Sequence, residues 1–303
     1  MKRLAALAGF GLLLIPALPL QAETYAERLA AAQQKGDPAG TEQLLAEWAA
    51  KEPENPEALV AAANYWWSRS TSIEINRGKA AKGEFAMTDK DGKEVGRIGP
   101  GGHDETCAAK AIATLEKAVA TFPNRLDIWC GLSYLQQETV QTEAQIRTLQ
   151  AMVAHAKKAT ADNLRWKDEP LGEVPGKFVA EKVHGYATDH YKKETPESDI
   201  ALGKIATLLT TEYPENPIGW NDLALHRHFV GKDTKAAIGS LEKAQELDPR
   251  DFLVAINLGK FAVMAGDRDK ARKAFQRVVD GSSDARLVAE AKKQLAGLKS
   301  KGK

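Results

Sequence analysis

From Pro214 to Phe275 apolar residues fall three and four apart, stop at a glycine, and resume. The first stretch reads Trp220, Leu223 and Ala224, then Gly231, then Ala237, Leu241, Ala244 and Pro249. The second reads Ala255, Leu258 and Gly259, then Gly266, then Ala271 and Phe275. Spacing of three and four places these side chains on one face of a helix, and glycine ends a helix by accepting a left-handed backbone. An alanine four residues before a large apolar residue lets a second helix pack close against the first. The pattern predicts a helix-turn-helix pair present twice. One such pair cannot bury its apolar face alone, so neighbouring pairs must stack.

Proline spacing carries the pattern upstream. Pro214 to Pro249 spans 35 residues, Pro53 to Pro123 spans 70, and Pro123 to Pro214 spans 91. With about 34 residues per pair, the second interval holds one pair plus 36 extra residues and the third holds two pairs plus 23. Helical faces fill these frames. Tyr25 to Ala32 with Leu44 to Trp48 makes one pair; Leu59, Ala62, Ala63 and Trp66 with Ala111, Leu115 and Ala118 makes the next. Trp129, Leu132 and Ser133 open a third, ahead of Ala144 and Ala151, and Phe178 to Tyr191 with Ile200 to Leu209 forms a fourth. Ala285 to Leu298 is apolar on one face and polar on the other, as a terminal capping helix must be.

The repeat resembles the tetratricopeptide (TPR) repeat, whose W-x₂-L-G-x₂-Y…A-x₃-F…P signature is met at Leu258, Gly259, Ala271 and Phe275. Ala255 stands where the family has Trp, and Arg227 and Ala262 stand where it has Tyr. The resemblance implies an all-α, tetratricopeptide-type helical-repeat solenoid over residues 23–299, with about six helix pairs and a cap. Insertions near 69–104 and 159–177 interrupt it, and a basic tail, 300–303, ends it.

Both insertions have their own patterning. In the first, Gly83 to Thr88 and Lys93 to Ile98 flank Asp89-Lys-Asp-Gly92, with Phe85 and Met87 alternating with polar residues, so a small β-hairpin is expected. Its acidic residues do not meet the calcium-loop frame. In the second, Pro170, Gly172, Pro175 and Gly176 forbid a continuous helix.

The N-terminus changes the compartment expected. Met1-Lys-Arg3, the apolar run Leu4 to Leu20 and the exit Leu20-Gln21-Ala22 form the three parts of a secretory signal peptide, 1–22, with cleavage after Ala22. A periplasmic or secreted protein with no stable membrane insertion after signal removal is the expectation. Charged residues make up 27% of the chain and the formal net charge is +1. That balance leaves no electrostatic footprint for nucleic acid.

Chemistry is sparse. H-E-x-x-H, G-x-S-x-G, C-x-x-C and a glycine-rich phosphate loop are all absent, so no catalytic residue, metal or cofactor is predicted. Cys107 lies 16 residues before Pro123 and Cys130 seven after it. Along antiparallel helices that is an axial offset of roughly 13 Å, too far for a disulfide. His103 and Cys107 sit four apart at a helix start, and an enzyme with a site there, formed by the insertion, is the alternative function. Asp104 and Glu105 oppose any lowering of that thiol's pKa.

The resemblance implies that each first helix lines a concave groove and that the chain is a non-enzymatic exported scaffold or adaptor binding a protein or peptide. Projecting the helical face left free by the core gives Asn64, Trp67, Tyr134, Gln137, Asn221, Leu225, His228, Asn257 and Lys260 as groove candidates. Some members of the family hold a peptide's terminal carboxylate with Lys, Asn and Arg. Only Asn221, Asn257 and Lys260 are of that type here, which does not support the clamp. Trp66 is assigned to the core, and Trp67 either supports the hairpin or serves as a ligand platform.

Overall fold

The structure is a computed structural model that describes residues 23–80, 84–171 and 174–300. Residues 1–22, which carry the signal-peptide pattern, and the tail residues 301–303 lie outside the described residues, as do Lys82 and Gly83 at the start of the expected hairpin. The chain divides into two compact units, 1–58 and 59–303.

In the first unit, α1 (Tyr25–Gln34) turns through Gly36 into α2 (Pro38–Lys51). Thr24 and Glu27 form a capping box at the start of α1, and Gly36 takes a φ of 66°, open to glycine without strain. Tyr25 stacks on Trp48 at 5.6 Å and its hydroxyl donates to Glu47 at 2.9 Å.

The second unit is all-α apart from its two insertions. Its helices are α3 (Pro56–Ser70, which begins in the first unit), α4 (Glu105–Thr121), α5 (Leu126–Glu138), α6 (Thr142–Lys158), α7 (Pro175–Lys193), α8 (Pro196–Glu212), α9 (Pro217–Leu225), α10 (Thr234–Leu247), α11 (Phe252–Met264), α12 (Arg268–Gly281) and α13 (Ala285–Ser300). The five pairs and terminal helix expected here from apolar spacing are all present. Three apolar clusters relay the core along the row: one across α3 to α8, one around Ala224, Leu241 and Leu258, and one around Phe275 and Ala291. The repeat signature has a direct physical reason. A Cβ on Gly259 would lie 2.5 Å from the Phe275 ring, so the missing side chain on α11 is the space that the fully buried phenyl of α12 fills.

First helices other than α3, which runs straight into β1, are followed by a left-handed residue, and after α9 its identity differs from the expectation. Gly266 after α11 has φ 81° as predicted, but after α9 the left-handed residue is Lys232 (φ 54°), not Gly231 (φ −71°). The cause is a π-helical turn, His226–Val230, that extends α9: Gly231 N–H donates to His226 C=O at 3.0 Å, which moves the helix end on by one residue. Val140 after α5 occupies the same position at φ 56°, and Glu194 directly follows the last residue of α7 at φ 52°.

The first insertion is a three-stranded antiparallel sheet rather than a hairpin. The expected pair is there as β2 (Phe85–Thr88) and β3 (Glu94–His103), but β1 (Thr71–Asn76) pairs with the other side of β3, giving the order β1-β3-β2. The alternating Ile73 and Ile75 were the missed signal. Asp89 closes the turn, accepting from the backbone of Asp91 and Lys93 at 3.0 Å each, while Gly92 takes φ 78°. Asp104 N–H donates to Ser70 C=O at 2.8 Å, so the two ends of this arm meet. The second insertion forms a two-stranded ribbon, β4 (Arg165–Trp166) with β5 (Glu169–Pro170), turned through Lys167 at φ 55°.

Candidate functional site

Consecutive first helices of the second unit are tied side by side at every step. Trp67 of α3 meets Tyr134 of α5 edge to face, centroids 6.2 Å apart. Tyr186 of α7 donates its hydroxyl to Cys130 C=O of α5 at 2.6 Å. His184 of α7 binds both carboxylate oxygens of Asp222 on α9, at 2.8 and 3.0 Å. Asn257 of α11 donates to Asn221 of α9 at 3.1 Å, and Lys260 pairs with Glu290 of α13 at 3.2 Å. Second helices are bridged separately, by Lys157 and Glu212 between α6 and α8 and by Lys270 and Glu242 between α12 and α10. The first helices therefore form one continuous row.

Two aromatic clusters mark that row. At one, Trp67 stacks on His103, the last residue of β3, at 4.4 Å, and Tyr134 beside it is 47% exposed. Trp67 thus supports the arm through His103 and also faces Tyr134. Trp66 packs partly buried against the core with the Lys110 ammonium 3.9 Å above its ring. The second cluster joins three first helices: Tyr191 of α7, His228 and Phe229 of the π turn, and Phe261 of α11. Ring centroids are 5.5 Å apart for Tyr191 and Phe229 and 4.1 Å for the stacked His228 and Phe261. Phe229 is 41% exposed. π turns are rare and occur often at functional sites; here the turn aims His228 at Phe261 while Phe229 stays open. Sequence reasoning reached His228 but missed Phe229, because a straight α-helix projects the end of α9 differently, and missed Tyr191, which joins the cluster from α7 only by packing against Phe229.

Other expected groove residues separate. Asn64 is exposed, and Leu225 is half-buried against the α9–α12 core. Gln137 does not line an open face. It is buried, accepting from Gln145, which in turn accepts from His190 Nε2 at 2.8 Å. The Gln137-to-groove expectation fails because α5 is covered on that face by α6 and α7. Asn221, Asn257 and Lys260 are engaged with one another or with Glu290, so a free Lys/Asn carboxylate clamp is not formed.

Titratable groups follow the same geometry. The hydrogen bond that His184 Nδ1 donates to the Asp222 carboxylate, buried beneath it, raises the His184 pKa against the pull of burial, and Nε2 lies 3.4 Å from the Thr188 hydroxyl. Burial lowers His190 to about 4. Both cysteines are free. Burial pushes Cys130 up to about 12. Cys107 is raised as well, by desolvation and then by the Asp104 carboxylate, whose Oδ1 caps α4 by accepting from Cys107 N–H at 2.7 Å. A raised thiol is a poor nucleophile at neutral pH, and nothing in the geometry at His103 activates it: that ring is spent on Trp67 and on a long 3.4 Å contact to Ser70 Oγ. No helix of the described residues is long and apolar enough to cross a membrane, and no group of three or more His, Cys, Asp or Glu is placed to hold a metal ion among them.

No known family profile and no curated protein matches the sequence. Solved structures similar to this chain include YrrB, described as a TPR protein with an unusual peptide-binding site (TM-score 0.41, 13% identity, 82% of this chain and 97% of that one). Another is the RpL4 assembly chaperone Acl4 (0.42, 12%, 91% and 95%). A third is TTC0263, a thermophilic TPR protein of Thermus thermophilus (0.38, 15%, 63% and 92%). The helix pairing described above, and not likeness at these scores, carries the fold.

Proposed function

We propose that this chain is a non-enzymatic scaffold or adaptor that holds an extended segment of a protein partner along its row of first helices. The observation that carries this reading is the pair of open aromatic clusters, Trp67 with Tyr134 and Phe229 with Tyr191, set on a row whose intervening polar residues are already tied to each other. Large rings with few torsions give contact area at low entropic cost, and a few such anchors supply most of the affinity of an interface. Polar neighbours engaged among themselves favour apolar and aromatic anchoring over recognition of a terminal carboxylate. Export is part of the reading and rests on the pattern of Met1 to Ala22 alone: the partner is then an envelope or secreted protein.

The test is capture of partners from an envelope fraction by the chain lacking residues 1–22, and by its Trp67→Ala, Tyr134→Ala and Phe229→Ala variants. Each substitution should weaken capture by about 2 kcal/mol or more while lowering the melting temperature much less. Equal loss of stability and capture would make the rings core residues, and unaltered capture would move the partner site off this row.

A further inference from the structure

The arm presents a strand edge that nothing in the described chain covers. β1 pairs with β3 alone, and all six of its residues are exposed. Backbone N–H and C=O groups of a strand point alternately to its two sides, so the side of β1 away from β3 carries a row of unbonded groups. Proteins blunt such edges with lysine, proline, a bulge or a covering element. Thr71–Asn76 contains neither lysine nor proline. Its one irregularity falls at the first step, between Thr71 and Ile73, leaving Ile73 to Asn76 in regular register.

The two faces of this edge differ. Cross-strand partners share a face, so Ile75, Ile98 of β3 and Phe85 of β2 lie together, with Ile73 two residues along. Ile73 and Phe85 are 74% and 77% exposed. The opposite face carries Glu74, whose carboxylate accepts from Asn76 and has no cationic partner among the described residues. Three strands about 4.8 Å apart and about 20 Å long offer an apolar face of roughly 300 Å², well short of the roughly 800 Å² per partner of a stable protein interface. A second folded copy packed on this face would be held too weakly, whereas a single extended segment needs no more than the edge and the strip beside it.

We propose that β1 accepts an extended segment of another protein as a fourth strand. The segment places β-branched or aromatic side chains beside Ile73 and Ile75 and a basic side chain beside Glu74. This surface is distinct from the row of first helices, although His103 at the end of β3 stacks on Trp67, where the row begins.

The probe is a labelled ten-residue peptide alternating valine and threonine with one central lysine, titrated into the full chain. Expected are saturable binding, slowed amide exchange at residues 72–76, and binding at least about tenfold weaker in the double variant Ile73→Lys, Ile75→Lys, since edge lysines oppose strand addition. Both isoleucines are exposed, so helical circular dichroism should not change. A central proline in the peptide should abolish binding by removing a ladder donor. Absence of binding, or binding without protection of 72–76, overturns the inference. So does protection without peptide in a sedimenting dimer, which would make the occupant a second copy, and so does vesicle flotation lost in the lysine variant, which would make it a lipid surface. Peptide binding lost in Tyr134→Ala but kept in the lysine variant also overturns the strand site, while leaving the first-helix reading intact.

Discussion

Two insertions interrupt the helix pairs, and they are used in opposite ways. The segment between α6 and α7 is locked in. Leu164 and Leu171 are buried, Trp166 packs edge-on against Phe178, and Lys182 lies 4.3 Å above the Trp166 ring. Buried Arg125 at the start of α5 binds Asp127 at 2.8 Å and reaches Asp168 of the ribbon at 3.3 Å. Asp127 also accepts from Lys167 N–H. The segment between α3 and α4 is longer, richer in strand, and has an apolar face, yet Ile73, Ile75 and Phe85 face solvent. Regular secondary structure is therefore no sign of a structural role here. The irregular insertion is anchored in the core through Leu164, Trp166 and Leu171, and the strand-rich one lies on the surface.

Substitutions on each side of that contrast should separate most widely. Arg125→Ala leaves Asp127 without its main partner in a half-buried site, and should cost about 3–5 kcal/mol in urea unfolding. Leu164→Ala should cost about 2–5 kcal/mol. Ile75→Lys on the arm should stay within about 0.5 kcal/mol. Comparable losses on both sides would dissolve the distinction.

A pH titration sharpens it from the core side. His190 donates from Nε2 to Gln145 and leaves Nδ1 buried without a partner, so the folded chain holds it neutral, with its pKa lowered from 6.5 to about 4. The folded state binds this proton less readily than the unfolded state. Its stabilisation is therefore complete above about pH 6.5 and is lost as pH falls toward 4, on the order of 3 kcal/mol by that point. Burial lowers His226 and His228 in the same direction, so the readout is the difference from His190→Gln, which should unfold with a shallower acid dependence. Parallel pH profiles would show that His190 is solvated.

A smaller effect is expected where α5 ends. Val140 is β-branched, exposed and at φ 56°, a conformation that costs a non-glycine residue about 1–2 kcal/mol. Val140→Gly relieves that strain against a loss of chain stiffness in the unfolded state, and should raise stability by up to about 1 kcal/mol, read as a few degrees of melting temperature.

The helices were legible because their signal is periodic and their partners are local: Leu258, Gly259, Ala271 and Phe275 name a close contact that the structure contains. β1 was not, because two isoleucines in six residues look no different from the end of α3 that precedes them. Gln137 was misplaced since a projection from α5 alone does not know that α7 covers that face and supplies His190. Among the groove candidates, Trp67, Tyr134 and His228 do sit in open or half-open ring clusters. Phe229 was invisible, because only the π turn after α9 directs it outward.

Replacing the arm tests the account most directly. Ser70 and Asp104 already meet through a 2.8 Å backbone hydrogen bond, so residues 72–101 can give way to a short Gly-Ser turn with little closure cost. The shortened chain should keep its helical circular dichroism and melt cooperatively within a few degrees of the full chain, while losing all binding of the alternating peptide. Loss of cooperative melting would contradict it, by showing that the arm belongs to the core.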